Sequence, residues 1–256
     1  ALSELPQAQF VIMSATLGDV TKLVDDLTQN TDRETIVIAD AARPVPLQYS
    51  WSMTPLPELL DELISTGQSP VYLVHPSQGA ATEQAQSMAA AKLVDAERRR
   101  EIVEAIGDFR FAPGFGKTLR GLLTNGIGVH HAGLLPKYRR LVETLAQRGL
   151  LRVICGTDTL GVGINVPIRT VLFTTLVKFD GRRERLLRSR EFHQIAGRAG
   201  RAGFDPIGYV IGQAPEYQIE NERIAQKFAN DEKKLKSVRK KKPPEGAVNY
   251  TEASFE

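Results

Sequence analysis

The chain has 256 residues, 42% hydrophobic and 25% charged, which suffices to bury the core of one large domain or two small ones. Its apolar runs fall far short of the roughly 20 residues that span a bilayer, and ALSELPQAQF has neither the basic nor the apolar segment of a signal peptide. The single cysteine, Cys155, excludes an internal disulfide framework and a multi-cysteine zinc site, so the expectation is a soluble, cytoplasmic chain without a membrane partner. An opening Ala that leads almost at once into an apolar run reads as a piece of something longer.

In chain order, Phe10–Met13 reads as a buried strand. Asp19 is placed to cap a helix carrying Val20, Leu23, Val24 and Leu27 at helical spacing, and Ile36–Ala39 reads as a second strand. Pro44 and Pro46, two apart, suit neither a helix nor a central strand, so a linker is expected over 41–47. Pro55–Ile64 predicts a helix, Val71–Val74 a strand, and Thr82–Ile106 one long helix. Leu119–Leu123 predicts a shorter helix and Ile127–Val129 a brief strand. Pro136 suits the first turn of a helix running to about Arg148, with Gly149 as its stop. Leu151–Cys155, Thr170–Phe173 and Gly208–Ile211 read as buried strands, and Glu191–Ala199 as a helix. Strands alternating with amphipathic helices are the pattern of a parallel α/β sheet with helices on both faces.

Charge is unevenly spread. Residues 1–40 carry seven acids against two bases, residues 182–201 carry seven arginines against two glutamates, and Lys233–Lys242 holds seven bases and no acid. Clustered positive charge favours a polyanionic partner through counterion release, while a solvated face or tail is the plainer alternative.

Gly114-Phe-Gly-Lys-Thr118 invites comparison with a phosphate-cradling loop. That loop needs G-x-x-x-x-G-K-[ST], and Phe111 stands where the first glycine belongs, with Pro113 deleting another N–H. A turn that starts a helix is the better reading.

Gln194-Ile-Ala-Gly-Arg-Ala-Gly-Arg201 is more specific. On a helix, arginines three apart project from one face, and Gly197 and Gly200 would admit a close neighbour. Such a pair suits negative charge developing on a transferring phosphoryl group; a solvated basic helix is the alternative. The His130-His131-Ala-Gly133 turn precedes a predicted helix, whose N–H groups favour phosphate, with His131 as a further donor. A metal pair and a packed core histidine remain open there, although no acid or cysteine lies at ligand spacing.

Q-x-x-G-R-x-G-R resembles motif VI of superfamily 2 helicases of the DEAD/DEAH-box type. Ser14-Ala-Thr16 is similar to motif III, Pro70–Ser77 to motif IV, and Thr157–Asn165 to motif V. Gly128–Arg139 is similar to a segment of the superkiller-like branch, and Pro243-Pro-Glu-Gly246 resembles the entry to a further domain in actinobacterial-type relatives. The resemblance covers about residues 9–215 and implies a RecA-like α/β fold. It places residues 1–40 at the end of a first lobe, 48–215 in the second lobe, and 216–256 in a charged tail leading to a further C-terminal domain.

What the resemblance implies for function follows residue by residue. Arg198 and Arg201 are expected as arginine fingers at an ATP site, with Gln194 near the γ-phosphate or attacking water. Gly163 and Asn165 are expected near the nucleotide, and Thr157, His131 and Gly133 against nucleic acid. Ser14 and Thr16 are expected to couple the two lobes. No metal ligands are expected here: ATP and Mg²⁺ would be held mainly by the first lobe, whose Walker A and B motifs this sequence does not contain. The implied partners are single-stranded RNA or DNA and the first lobe of the same, monomeric polypeptide, and the chain alone is expected to be inactive. Asp158 stands where relatives often carry Glu, and no winged-helix or ratchet sequence follows. A RecA-like binding module without ATPase activity is the rival reading.

Overall fold

The computed structural model describes residues 8–14, 18–39, 43–158, 166–229, 238 and 240–255. The chain divides into two compact units, Ala1–Pro44 and Val45–Glu256.

In the first unit, α1 spans Thr21–Thr31 and buries none of its residues. The Asp19 carboxylate accepts from the Thr21 N–H (3.0 Å) and hydroxyl (2.6 Å), which anchors the first turn. Phe10–Met13 and Ile36–Ala39 are not strands, contrary to expectation; Val11 is 76% and Ile38 86% exposed. An apolar run becomes a strand only with a neighbour to pair and a face to bury, and the described residues of this unit supply neither.

The second unit is built on a six-stranded parallel sheet: β1 (Leu47–Ser52), β2 (Val71–His75), β3 (Ile127–His130), β4 (Val153–Thr157), β5 (Thr170–Phe173) and β8 (Gly208–Gln213), in the order β1-β8-β5-β2-β4-β3. Every residue of β2, β3, β4 and β5 is buried. Successive side chains on a strand point to opposite faces, so unbroken burial means that both faces are covered. The covering helices are α2 (Leu56–Ser65), α3 (Gln78–Ser87), α4 (Ala96–Ile106), α5 (Phe115–Thr124), α6 (Pro136–Gln147), α7 (Ser189–Ala196) and α8 (Glu216–Lys227). Together they form the α/β RecA-like architecture that the alternation predicts.

Four local features differ from or add to what the sequence leads one to expect. The long helix over Thr82–Ile106 is two helices: Asp95 accepts the Arg98 N–H (2.8 Å) and starts α4 afresh, while the Asn125 amide takes the Ala89 carbonyl between them. The expected linker runs directly into β1, which pairs in register with β8 from Leu47↔Gly208 to Ser52↔Gln213. An antiparallel hairpin, β6 (Val177–Phe179) with β7 (Glu184–Leu186), was not expected at all. Residues 216–256 are also more than a charged tail. Asn221 of α8 clamps the Lys241 backbone through two hydrogen bonds of 2.7 and 2.8 Å. Tyr250 is buried with its ring edge-on to Trp51, and Phe255 of the terminal helix α9 (Glu252–Phe255) lies against the same indole.

Candidate functional site

In a parallel sheet all strands end on one edge, and ligands gather where successive connections leave in opposite directions. Here the chain leaves β2 toward β4 and β3 but leaves β5 toward β8, and β2 and β5 are neighbours. The edge beside that point holds His75, His130 and Thr157, the last residues of β2, β3 and β4; His75 is in register with Thr157 and His130 with Gly156.

Packing fixes this edge closely. The buried Tyr72 hydroxyl donates to the Thr157 carbonyl at 2.8 Å. A Cβ on Gly156 would stand 2.1 Å from that hydroxyl and 2.4 Å from the His130 carbonyl, so only glycine fits. Thr157 is therefore held by its backbone at the sheet edge, where the sequence places a nucleic-acid contact.

The histidines are packed. Thr174 gives its hydroxyl proton to the Val74 carbonyl (2.8 Å), so His75 Nδ1 is the donor across the 3.3 Å to Thr174 Oγ1, and its buried Nε2 has no partner among the described residues. Burial pushes the His75 pKa down to about 4. By the same logic Thr82 donates to the Gln78 carbonyl (2.9 Å) and accepts from His131 Nε2 (3.2 Å), leaving the buried Nδ1 as a bare acceptor. Burial first, and His130 second, lower the His131 pKa. A neutral His131 whose one proton is committed to Thr82 has no donor left for a phosphate. His130 Nε2 lies 3.1 Å from Glu143, yet burial outweighs that partner and its pKa is also lowered. Gly133 is exposed on the turn beyond, where a Cβ would meet the Gln78 side chain at 2.1 Å.

The arginines lie at the opposite edge. Helix α7 ends at Ala196, so Arg198 and Arg201 do not share a helix face as expected. After Gly197 the chain turns: Gly200, at φ +82°, donates to the Ile168 carbonyl (3.0 Å) just before β5 begins. The space a Gly200 Cβ would take is filled by Val45 and the Gly208 backbone, so this glycine admits the chain itself and not a ligand. Arg201 is fixed instead by Asp205, which accepts from Nε and Nη2 at 2.6 Å each and from the Arg201 N–H at 2.9 Å. Burial would raise the Asp205 pKa, but the Arg201 hydrogen bonds prevail and hold it below the usual carboxylate range. Gln194 is exposed on α7, between the two edges. Ser14 is exposed in the first unit; Thr16, Gly163 and Asn165 lie outside the described residues.

Residues 116–203 match the model of the helicase conserved C-terminal domain, and residues 214–256 match a domain of unknown function, DUF3516. Human superkiller complex protein 2 is 38% identical over 170 residues, 62% of this chain and 14% of that protein. Over these stretches the chain is similar to the C-terminal lobe of superkiller-type superfamily 2 helicases. Human exosome RNA helicase MTR4 is 50% identical to the lobe over 90 residues (35% of this chain, 9% of that protein). The antiviral helicase SKI2 of Saccharomyces cerevisiae is 48% identical over 95 residues (37% and 7%). The helicase lobe thus spans only a small part of the curated relatives it matches.

Two further features of the helicase lobe escaped sequence reasoning. Asp205 carries no motif signal, although an acid four residues after the last arginine of the motif is a cue. The β6–β7 hairpin places Lys178 against Asp158, beside Thr157, and Arg185 against Glu191 of α7. Among the described residues, no group of three or more His, Cys, Asp or Glu side chains is placed to hold a metal ion, and no helix is long and apolar enough to cross a membrane.

Proposed function

We propose that this lobe is the second half of an ATP-driven RNA helicase motor, gripping single-stranded nucleic acid at the strand-end edge and facing nucleotide with its arginine turn. The observation that carries the reading is the separation of the two regions: backbone-fixed Thr157 at one edge of the sheet, and the Arg198–Arg201 turn at the other, joined by α7. Guanidinium groups are the right chemistry for a polyphosphate, and Arg201 is held ready by Asp205. When bound, ATP with Mg²⁺ supplies the phosphoryl transfer that drives such a motor. The lobe contributes cations that oppose the negative charge, with Mg²⁺ held mainly by a first lobe of the same polypeptide. RNA is preferred over DNA because relatives are described as RNA helicases.

The test is ATP hydrolysis by the full-length protein with single-stranded RNA, single-stranded DNA or neither, beside an Arg198→Ala variant. The expected result is stimulation by RNA and a loss of about 10³-fold or more in kcat in the variant, the scale on which arginine fingers act. The 256-residue chain by itself is expected not to turn over ATP. Tight binding of RNA without turnover by the full-length protein would replace the motor with a binding module.

A further inference from the structure

Helix α7 begins at the edge that holds Thr157 and leads to the turn that holds Arg198. Its head is clamped. Glu191 accepts the Arg188 N–H at 2.9 Å, closing the first turn, and receives both Arg185 Nη atoms, at 2.7 and 2.8 Å. Lys178 Nζ lies 3.4 Å from the same carboxylate and pairs on its other side with Asp158, the residue after Thr157. These four side chains are only 21–29% exposed, so water screens them less than an ordinary surface pair. The Arg185 hydrogen bonds, the largest cause, bring the Glu191 pKa down to about 2. Behind the clamp, Phe192 stacks on Phe173 of β5 at 4.7 Å and 23°, which holds the helix body to the sheet. At the far end Asp205 fixes Arg201. Asp158, Lys178, Glu191 and Arg185 are therefore a run of directly contacting groups, and helix α7 leads from them to the Arg198–Arg201 turn.

We propose that Lys178 and Arg185 of the hairpin are positioning residues that tie the strand-contact end of β4 to the head of α7, so that nucleic acid seated beside Thr157 sets the position of Gln194 and Arg198. This rests on the motor reading above. Lys178 bridges two carboxylates on different elements, Asp158 after β4 and Glu191 on α7, and Arg185 locks the second of them in a two-point fork. Without Lys178 the two elements keep their separate packing but lose the charge that couples them.

The test uses the full-length protein with poly(U) RNA: wild type, Lys178→Met, Lys178→Arg and Arg185→Met, each with a melting curve, an RNA affinity and ATP turnover with and without RNA. Lys178→Met and Arg185→Met are expected to cut the RNA stimulation of kcat by about fivefold or more, the lower end of measured couplings between sites. RNA affinity and turnover without RNA should stay near wild type at a temperature where the melting curves show every variant folded, and Lys178→Arg should recover the stimulation. Undiminished stimulation in both Met variants overturns the inference. So does a fall in RNA affinity that accounts for the loss, since Lys178 would then be a strand contact. Absence of stimulation in the wild type strikes the motor reading itself, and this inference with it.

Discussion

Replacing His75 with Asn isolates the cost of keeping a neutral imidazole at the sheet edge. The Asn amide retains a donor for Thr174 Oγ1, which Nδ1 serves in the native protein, and removes the titration. In the folded protein the ring resists protonation until about pH 4, whereas in the unfolded chain it takes a proton near 6.5. Between those values the unfolded state binds the extra proton, so stability is complete above the unfolded pKa and falls as pH drops through the window. The loss from this one group is about 2 kcal/mol at about pH 5, approaching 3 kcal/mol at the lower limit. His130 and His131, also lowered, act in the same direction, but both remain in the variant and cancel in the comparison. Urea unfolding of both proteins at about pH 7 and about pH 5 measures the difference. The wild type should lose about 2 kcal/mol more than His75→Asn. Parallel losses would refute the claim that His75 is held neutral by burial.

Gly156→Ala should destabilise by about 3 kcal/mol, because Tyr72 and the His130 carbonyl have no room to retreat. Adding Tyr72→Phe should restore part of the urea midpoint, and an unchanged midpoint in the single variant would contradict the packing. Arg201→Ala takes both guanidinium hydrogen bonds from a buried carboxylate, leaving it the backbone N–H and the more distant Arg169, and should cost about 3 kcal/mol, so its melting temperature should fall where that of Asp205→Asn/Arg201→Ala falls less. Cys155 is fully buried, and burial pushes its thiol pKa up, so a maleimide should label it only as fast as the protein unfolds.

Strands β2, β3, β4, β5 and β8 were legible because burial on both faces writes itself as an unbroken apolar run. Strand β1 was not: Leu47-Gln-Tyr-Ser-Trp-Ser52 is an edge with mixed burial, and the two prolines before it signal a break just where pairing begins. The hairpin was hidden for a different reason, since Asp180-Gly-Arg-Arg-Glu184 reads as a charged loop, while Asp180 accepts the backbone N–H groups of Arg182 and Arg183 to close the turn and Arg185 just beyond reaches Glu191 of α7. At the site, residue types were legible and their roles less so. The sequence marks His131, but only the Thr82 and Gln78 partners show where its proton goes. Likewise the spacing of Arg198 and Arg201 fits a helix, and only the close approach of Gly200 to Gly208 shows that the helix has already ended.

The return of the last residues onto the sheet has a practical side. Strand β1 is an outer strand, and Phe255 reaches back until a Cβ on Gly212 would lie 2.5 Å from its ring. Phe255 also helps to wall a groove of about 690 Å³ between β1 and α7, lined by Tyr49, Trp51, Leu186 and Phe192. Trimming the protein after the motif-bearing region, near residue 215, would strip Tyr250 and Phe255 from that surface. It would leave a bare aromatic trough beside the already unpaired outer edge of β1, a combination that draws chains together. Anyone producing the lobe for crystals or binding studies should place the boundary after residue 255 and put any affinity tag at the other terminus.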